Sequence, residues 1–158
     1  MERMFRNNSR INAFLLDILS TDELQLSDGN GGQSIFNLMA HLAHTRSWSV
    51  KSISPVHAER VPPAMRRDDD GTIHVLVQSV QDIRNILDTG DEALLTAVKE
   101  AAATNEPRER PYPDPHMILA RTFNHDAHHR GQVMTILRLH GVKHPELNKM
   151  LFTSWADL

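Results

Sequence analysis

A chain of 158 residues, 40% of them hydrophobic, is long enough to bury one core, and a single domain over residues 1–158 is expected. Seventeen basic and 20 acidic residues leave a net charge of −3, which lacks the basic footprint of nucleic-acid binding, so no nucleic acid is expected as a partner. There is no cysteine for a disulfide or a protein thiolate, and no apolar run of a leader or a membrane span, so the expectation is a cytoplasmic protein without a membrane partner.

From about Arg3 to Leu19 the apolar residues Phe5, Ile11, Phe14, Leu15, Ile18 and Leu19 recur at spacings of three and four, which predicts a first helix. Gly29, Gly31 and Gly32 interrupt the chain. Ser34 is placed to cap a second helix that runs to about Ile53, and Pro55 ends it. Residues 56–71 carry Pro62, Pro63 and three consecutive aspartates with little periodicity, predicting a long surface crossover that lets the flanking helices run parallel. Thr72 then caps a third helix with Val75, Leu76, Val80, Ile83, Ile86 and Leu87 as its buried face. Thr89 and Glu92 have the spacing of a capping box, which predicts a separate short helix from about Asp91 to Glu100. Between Ala101 and Pro113 prolines alternate with charges, and an irregular loop and a short hairpin are both open. Asp114 is placed to cap the last long helix, of about 26 residues, with Pro115 in its first position and Gly141 as its stop. Four amphipathic helices with one long crossover predict an all-α four-helix bundle, and no sheet of any size is expected.

The last helix contains F-N-H-D-A-H-H-R-G-Q-V, residues 123–133. At about 100° per residue, His125 and His129 lie about 40° apart on one face, whereas His128 falls to the side, about 60° from His125. Ile118, Thr122, Val133 and Ile136 share the face of the pair, which therefore points inward. Two neutral imidazoles in a core leave ring nitrogens that need partners, and one shared metal ion would satisfy both. Spacing alone leaves metal ligation and hydrogen-bonded core histidines equally open. A catalytic metal site needs a third ligand from elsewhere. His41, on the side of Leu38, Thr45 and Trp48, is the first choice in the second helix, and His44, about 60° away, is the alternative. His57, His74 and His116 read as surface or structural residues, and His140 and His144 straddle Gly141, so no helix aligns them.

No H-E-x-x-H, E-x-x-H, G-x-S-x-G, phosphate-loop or dinucleotide fingerprint is present. The segments L-M-A-H-L-A-H-T-R-S-W (38–48) and N-H-D-A-H-H-R-G-Q (124–132), with F-R-N-N (5–8), resemble the DinB family, also described as DinB/YfiT-like metalloenzymes. The resemblance covers nearly the whole chain. It implies an up-down-down-up four-helix bundle, often a homodimer, that holds one divalent metal on three histidines, matching His41, His125 and His129 here. His128 matches a position the family often fills with histidine without using it as a ligand. The resemblance further implies zinc or nickel as the metal, a small-molecule substrate, and a metal-dependent enzyme activating a low-molecular-weight thiol (S-transferase type) or water. The alternative is a non-catalytic metal- or ligand-binding bundle acting in stress response. No catalytic residue is assigned. Gln132, about 20° from His125, is a candidate hydrogen-bonding partner of a ligand or substrate, with a core amide as the competing reading. Trp48, about 20° from His41, is a candidate wall of the metal pocket or core filler. Arg130 points about 140° away from His125 and reads as structural, and Gly131 is a candidate point of close helix approach.

Overall fold

In the computed structural model, which describes residues 1–104 and 113–155, the N-terminal stripe forms helix α1, Glu2–Ile18. It buries Phe5, Ile11, Leu15 and Leu16 and, with them, Asn7, Asn8 and Asn12. Ser20 Oγ then accepts from Glu23 N while the Glu23 carboxylate accepts from Ser20 N. This reciprocal cap starts the one-turn helix α2, Thr21–Leu24, which is too short to show periodicity. Helix α3, Ile35–Ile53, begins where expected, with Ser34 Oγ accepting from Asn37 N at 3.2 Å. Pro55 does more than end it. It opens the short helix α4, Pro55–Ala58, from the first position, where a missing N–H leaves no orphan.

The expected surface crossover is partly built into the core, since Val61, Ala64 and Met65 are buried. It also holds a sheet where none was expected. Strand β1, Met65–Arg67, pairs antiparallel with β2, Ile73–Val75, in the register Met65↔Val75. The turn between them closes through Asp68 N to Thr72 O, with Gly71 at φ 90, a conformation that favours glycine. Strands of three residues are too short to display a period of two, so the pattern could not reveal them. Thr72 therefore caps no helix, and Leu76 is 41% exposed instead of buried.

Helix α5, Val80–Thr104, starts after Ser79, whose Oγ accepts from Asp82 N while the Asp82 carboxylate accepts from Ser79 N. No separate helix begins at Asp91. Glu92 pairs with Arg6 of α1 instead of turning back to Thr89, and α5 continues through Gly90. A Cβ at Gly90 would lie 2.4 Å from Arg46 Cβ, so α3 and α5 touch at a distance only glycine permits. Residues 101–104 of the expected loop or hairpin are helical, and its residues 105–112 lie outside the described region.

Helix α6, Met117–Leu139, has 23 residues and starts later than expected, with Asp114 Oδ1 accepting from His116 N. Its end is a Schellman motif: Gly141 at φ 70 donates to Arg138 O and Val142 N to Leu137 O. A last helix, α7 (Pro145–Thr153), not anticipated from the sequence, seats Leu147 in the core. α3 packs on α5 and α6, α1 packs on the same two helices, and the buried apolar side chains form one continuous cluster. Among the described residues no helix is long and apolar enough to cross a membrane.

Inside this apolar core lies a polar layer to which all four long helices contribute. Arg46 of α3, fully buried, donates to both oxygens of Asp126 (2.9 and 2.6 Å) and to Asp91 of α5 (2.5 Å). Asn8 and Asn12 of α1 donate to Asp126 Oδ2 and accept from Arg130 Nη1. Two cations face two carboxylates, and the hydrogen bonds to charged groups are the strong kind. Burial opposes ionisation of Asp126, but Arg46 and the asparagine amides outweigh it and hold this carboxyl below its usual range. Asp91, with fewer donors, stays above its usual range because burial outweighs the pull of Arg46. Arg130 is therefore structural, as its direction on the helical wheel implied.

Candidate metal centre

His41 from α3 and His125 and His129 from α6 meet where the two helices pack. Ring centroids stand 5.2 Å apart for His41 and His125, 4.9 Å for His41 and His129, and 4.5 Å for His125 and His129. The three offer ring nitrogens that all lie within 4.8 Å of one another, so the group could hold a metal ion. Two nitrogens on one tetrahedral ion at about 2.0–2.1 Å stand about 3.3 Å apart. His125 Nε2 and His129 Nε2 are 3.2 Å apart, so this pair already has that spacing.

Electrostatics favour ligation as well. Burial, reinforced by the neighbouring imidazoles, pushes His41 below the usual histidine range and His125 down to about 4, and burial also lowers His129. All three are neutral at pH 7, with a lone pair available to each. Gln132 Oε1 lies 2.6 Å from His129 Nδ1. An amide oxygen can only accept, so the proton sits on Nδ1 and the lone pair on Nε2, toward His125. His125 Nδ1 is buried with no hydrogen-bond partner among the described residues. The donor set is three imidazoles with no thiolate or carboxylate, and it fits a single divalent transition metal.

The remaining histidines have other work. His44 Nδ1 accepts from Met65 N at 3.4 Å and so anchors β1 on α3; it is not part of the cluster. His128 packs edge-on against His129 at 5.0 Å between centroids and faces a cavity of about 750 Å³. His74 pairs with Asp68, His116 with Asp114, and His57 with Glu100. His140 donates to Ser27 O and His144 to Glu23, which fastens the end of α6 to the segment before α3.

The cavity opens on His41, His129 and Gln132, and further walls come from Leu38 and Ile136 on the same helices, from the loop before α3 and from β1 and β2. Trp48 is not among its lining residues. It is 45% exposed, and Arg121 stacks on its ring at 4.2 Å. The helical wheel gave the right azimuth, but seven residues carry Trp48 about 10 Å along the axis, away from the cavity. Gly131 is no point of close approach either, since a Cβ there would meet nothing within 4 Å. Residues missed from the sequence are Asp28 and Gln33 in the loop and Met65 and Ile73 on the strands, all cavity walls. For Asp28 and Gln33 the signal was the turn-rich stretch D-G-N-G-G, and Met65 and Ile73 had none.

Compared with known proteins, residues 2–157 match the family model described as the DinB family. No curated protein and no solved structure matches the chain.

Proposed function

The chain belongs to the DinB family, and on that premise we propose that it is a metal-dependent protein whose divalent ion is held by His41, His125 and His129. The observation that carries this reading is the convergence of three imidazoles from two helices, two of which, His41 and His129, line a large cavity. Zinc or nickel is the expected ion, because imidazole suits both. Held by three neutral ligands, such an ion keeps its full double charge and would favour ionisation of an incoming thiol or water at neutral pH. The chain's own residues do the rest: Gln132 fixes the tautomer of His129, and the cavity positions a small-molecule substrate beside the histidines. With no cysteine in the chain, a thiol would arrive as a low-molecular-weight co-substrate for S-transfer to an electrophile, and water is the other nucleophile the site would activate. We read the four long helices as an up-down-down-up four-helix bundle, one domain, in a cytoplasmic homodimer. The pairwise packing of α1 and α3 on α5 and α6 supports the bundle.

Metal analysis of protein purified without an affinity tag tests the proposal. About one ion per chain is expected, lost in His125→Ala and His129→Ala and retained in His128→Ala. Gln132→Ala is expected to weaken affinity about 10- to 100-fold by freeing the His129 ring. Absence of bound metal together with no uptake on titration would end the proposal. A second reading, a non-catalytic ligand-binding protein acting in stress response, is favoured by one observation. The one carboxylate among the lining residues, Asp28, stands on a loop and not beside the histidines. Metal-dependent turnover of a thiol with an electrophile would reject that second reading.

A further inference from the structure

The walls of the cavity are electrically lopsided. Besides the histidines, Asp28 is the one ionisable residue among the described residues that line it, and none of these is a lysine or arginine. Leu38 of α3 and Ile136 of α6 lie on the turns between the two ends, and Met65 and Ile73 add apolar wall. The ends are well separated. Asp28 precedes Ser34, the cap of α3, and His140 binds Ser27 O beyond the end of α6, so the loop sits at that end of the two helices. His129 and Ile136 are seven residues apart on α6, about 10 Å of helix rise.

Asp28 is exposed, and a local turn orients its carboxylate. Its Oδ1 accepts from Asn30 N at 3.0 Å and from Gly32 N at 3.1 Å. A Cβ at position 32 would lie 2.4 Å from Oδ1 and 2.7 Å from Oδ2, so in this conformation the carboxylate packs directly on the Gly32 backbone. Oδ2 carries no hydrogen bond among the described residues. The result is a preformed acceptor with one free oxygen at the far end of an apolar channel from the histidines.

We propose that the cavity takes an elongated substrate whose remote end is a cationic amine seated on Asp28, with the apolar middle over Leu38 and Ile136 and the reacting end at the histidines. This deepens the functional reading above and rests on its claim that the cavity receives the substrate. A charged amine gains a charge-assisted hydrogen bond at Asp28, whereas a carboxylate at the same point meets a like charge with no cation to offset it.

The test uses three thiols of equal chain length: 6-amino-1-hexanethiol, 6-mercapto-1-hexanol and 6-mercaptohexanoate. Each is titrated into zinc-treated and into metal-free protein and followed by amide NMR shifts at Gly32, Thr135 and Gln132. The amine is expected to bind about tenfold more tightly than the carboxylate in both states. Asp28→Asn, which keeps the Oδ1 acceptor for the loop amides, is expected to abolish that preference without unfolding the loop. Equal affinity of the three probes, preference for the carboxylate, or no shift at these amides would overturn the proposal. If zinc leaves thiol affinity unchanged while the amine preference persists, the metal reading fails and the amine site stands.

Discussion

Arg46→Leu is the most demanding test of how the core is organised. The leucine fits the apolar surroundings, but the change removes three hydrogen bonds of 2.5, 2.9 and 2.6 Å and leaves Asp91 and Asp126 buried without their cation. Removing one partner of a buried ion pair costs about 3–5 kcal/mol, a large share of the roughly 5–15 kcal/mol by which domains are stable. For a chain of this size the melting temperature should fall by about 10 °C. The loss should also depend on pH. With Arg46 gone, burial raises the folded pKa of Asp126 above its unfolded value and lifts Asp91, already raised, further. The folded variant then binds more protons than the unfolded chain as pH falls from 7 to 5, so its stability recovers relative to the parent. Urea denaturation of both proteins at pH 7 and pH 5 measures this, and the histidine contributions, common to both, cancel in the difference. A loss below about 1 kcal/mol at pH 7, or one unchanged at pH 5, would show that Arg46 is not neutralising these carboxylates.

Two glycines should respond oppositely to alanine. Gly90→Ala drives a methyl group into Arg46 and should cost about 1–3 kcal/mol, whereas Gly131→Ala meets open space and should gain up to about 1 kcal/mol from helix propensity, both read by urea denaturation. In metal-free protein the cluster histidines have folded pKa values below the unfolded value of about 6.5, so the unfolded chain binds more protons in acid. Stability should therefore fall as pH drops from about 6.5 toward 4, where His125 titrates, and His125→Gln should flatten the slope; a flat parent profile over that range would contradict the burial of these rings.

The bounds of α3, the stop at Gly141 and the pairing of His125 with His129 were legible in the sequence because each depends on neighbours along the chain. A cap three residues from its target, a left-handed glycine and two side chains one turn apart are all set by local geometry. Strands of three residues and helices of four or nine lie below what periodicity resolves, so β1, β2, α2, α4 and α7 were not read. Other features needed the tertiary structure because they depend on which helices touch. The Thr89–Glu92 spacing looked like a helix start, yet Glu92 found Arg6 across the interface, and Gly90 is a contact with Arg46 instead of a break. His41 and His44 were separated by about 60° on a wheel; what separates them in space is that the amide of Met65 takes His44. The polar layer of Asn8, Asn12, Arg46, Asp91, Asp126 and Arg130 draws on four helices, and no window of sequence contains it. The sequence by itself determined the cores of the four long helices and the histidine pair on the last of them, since both follow from short-range geometry. The sequence also put His41 ahead of His44, and the packing of α3 on α6, driven by apolar burial over the whole chain, brings it to the pair and decides which loop walls the cavity.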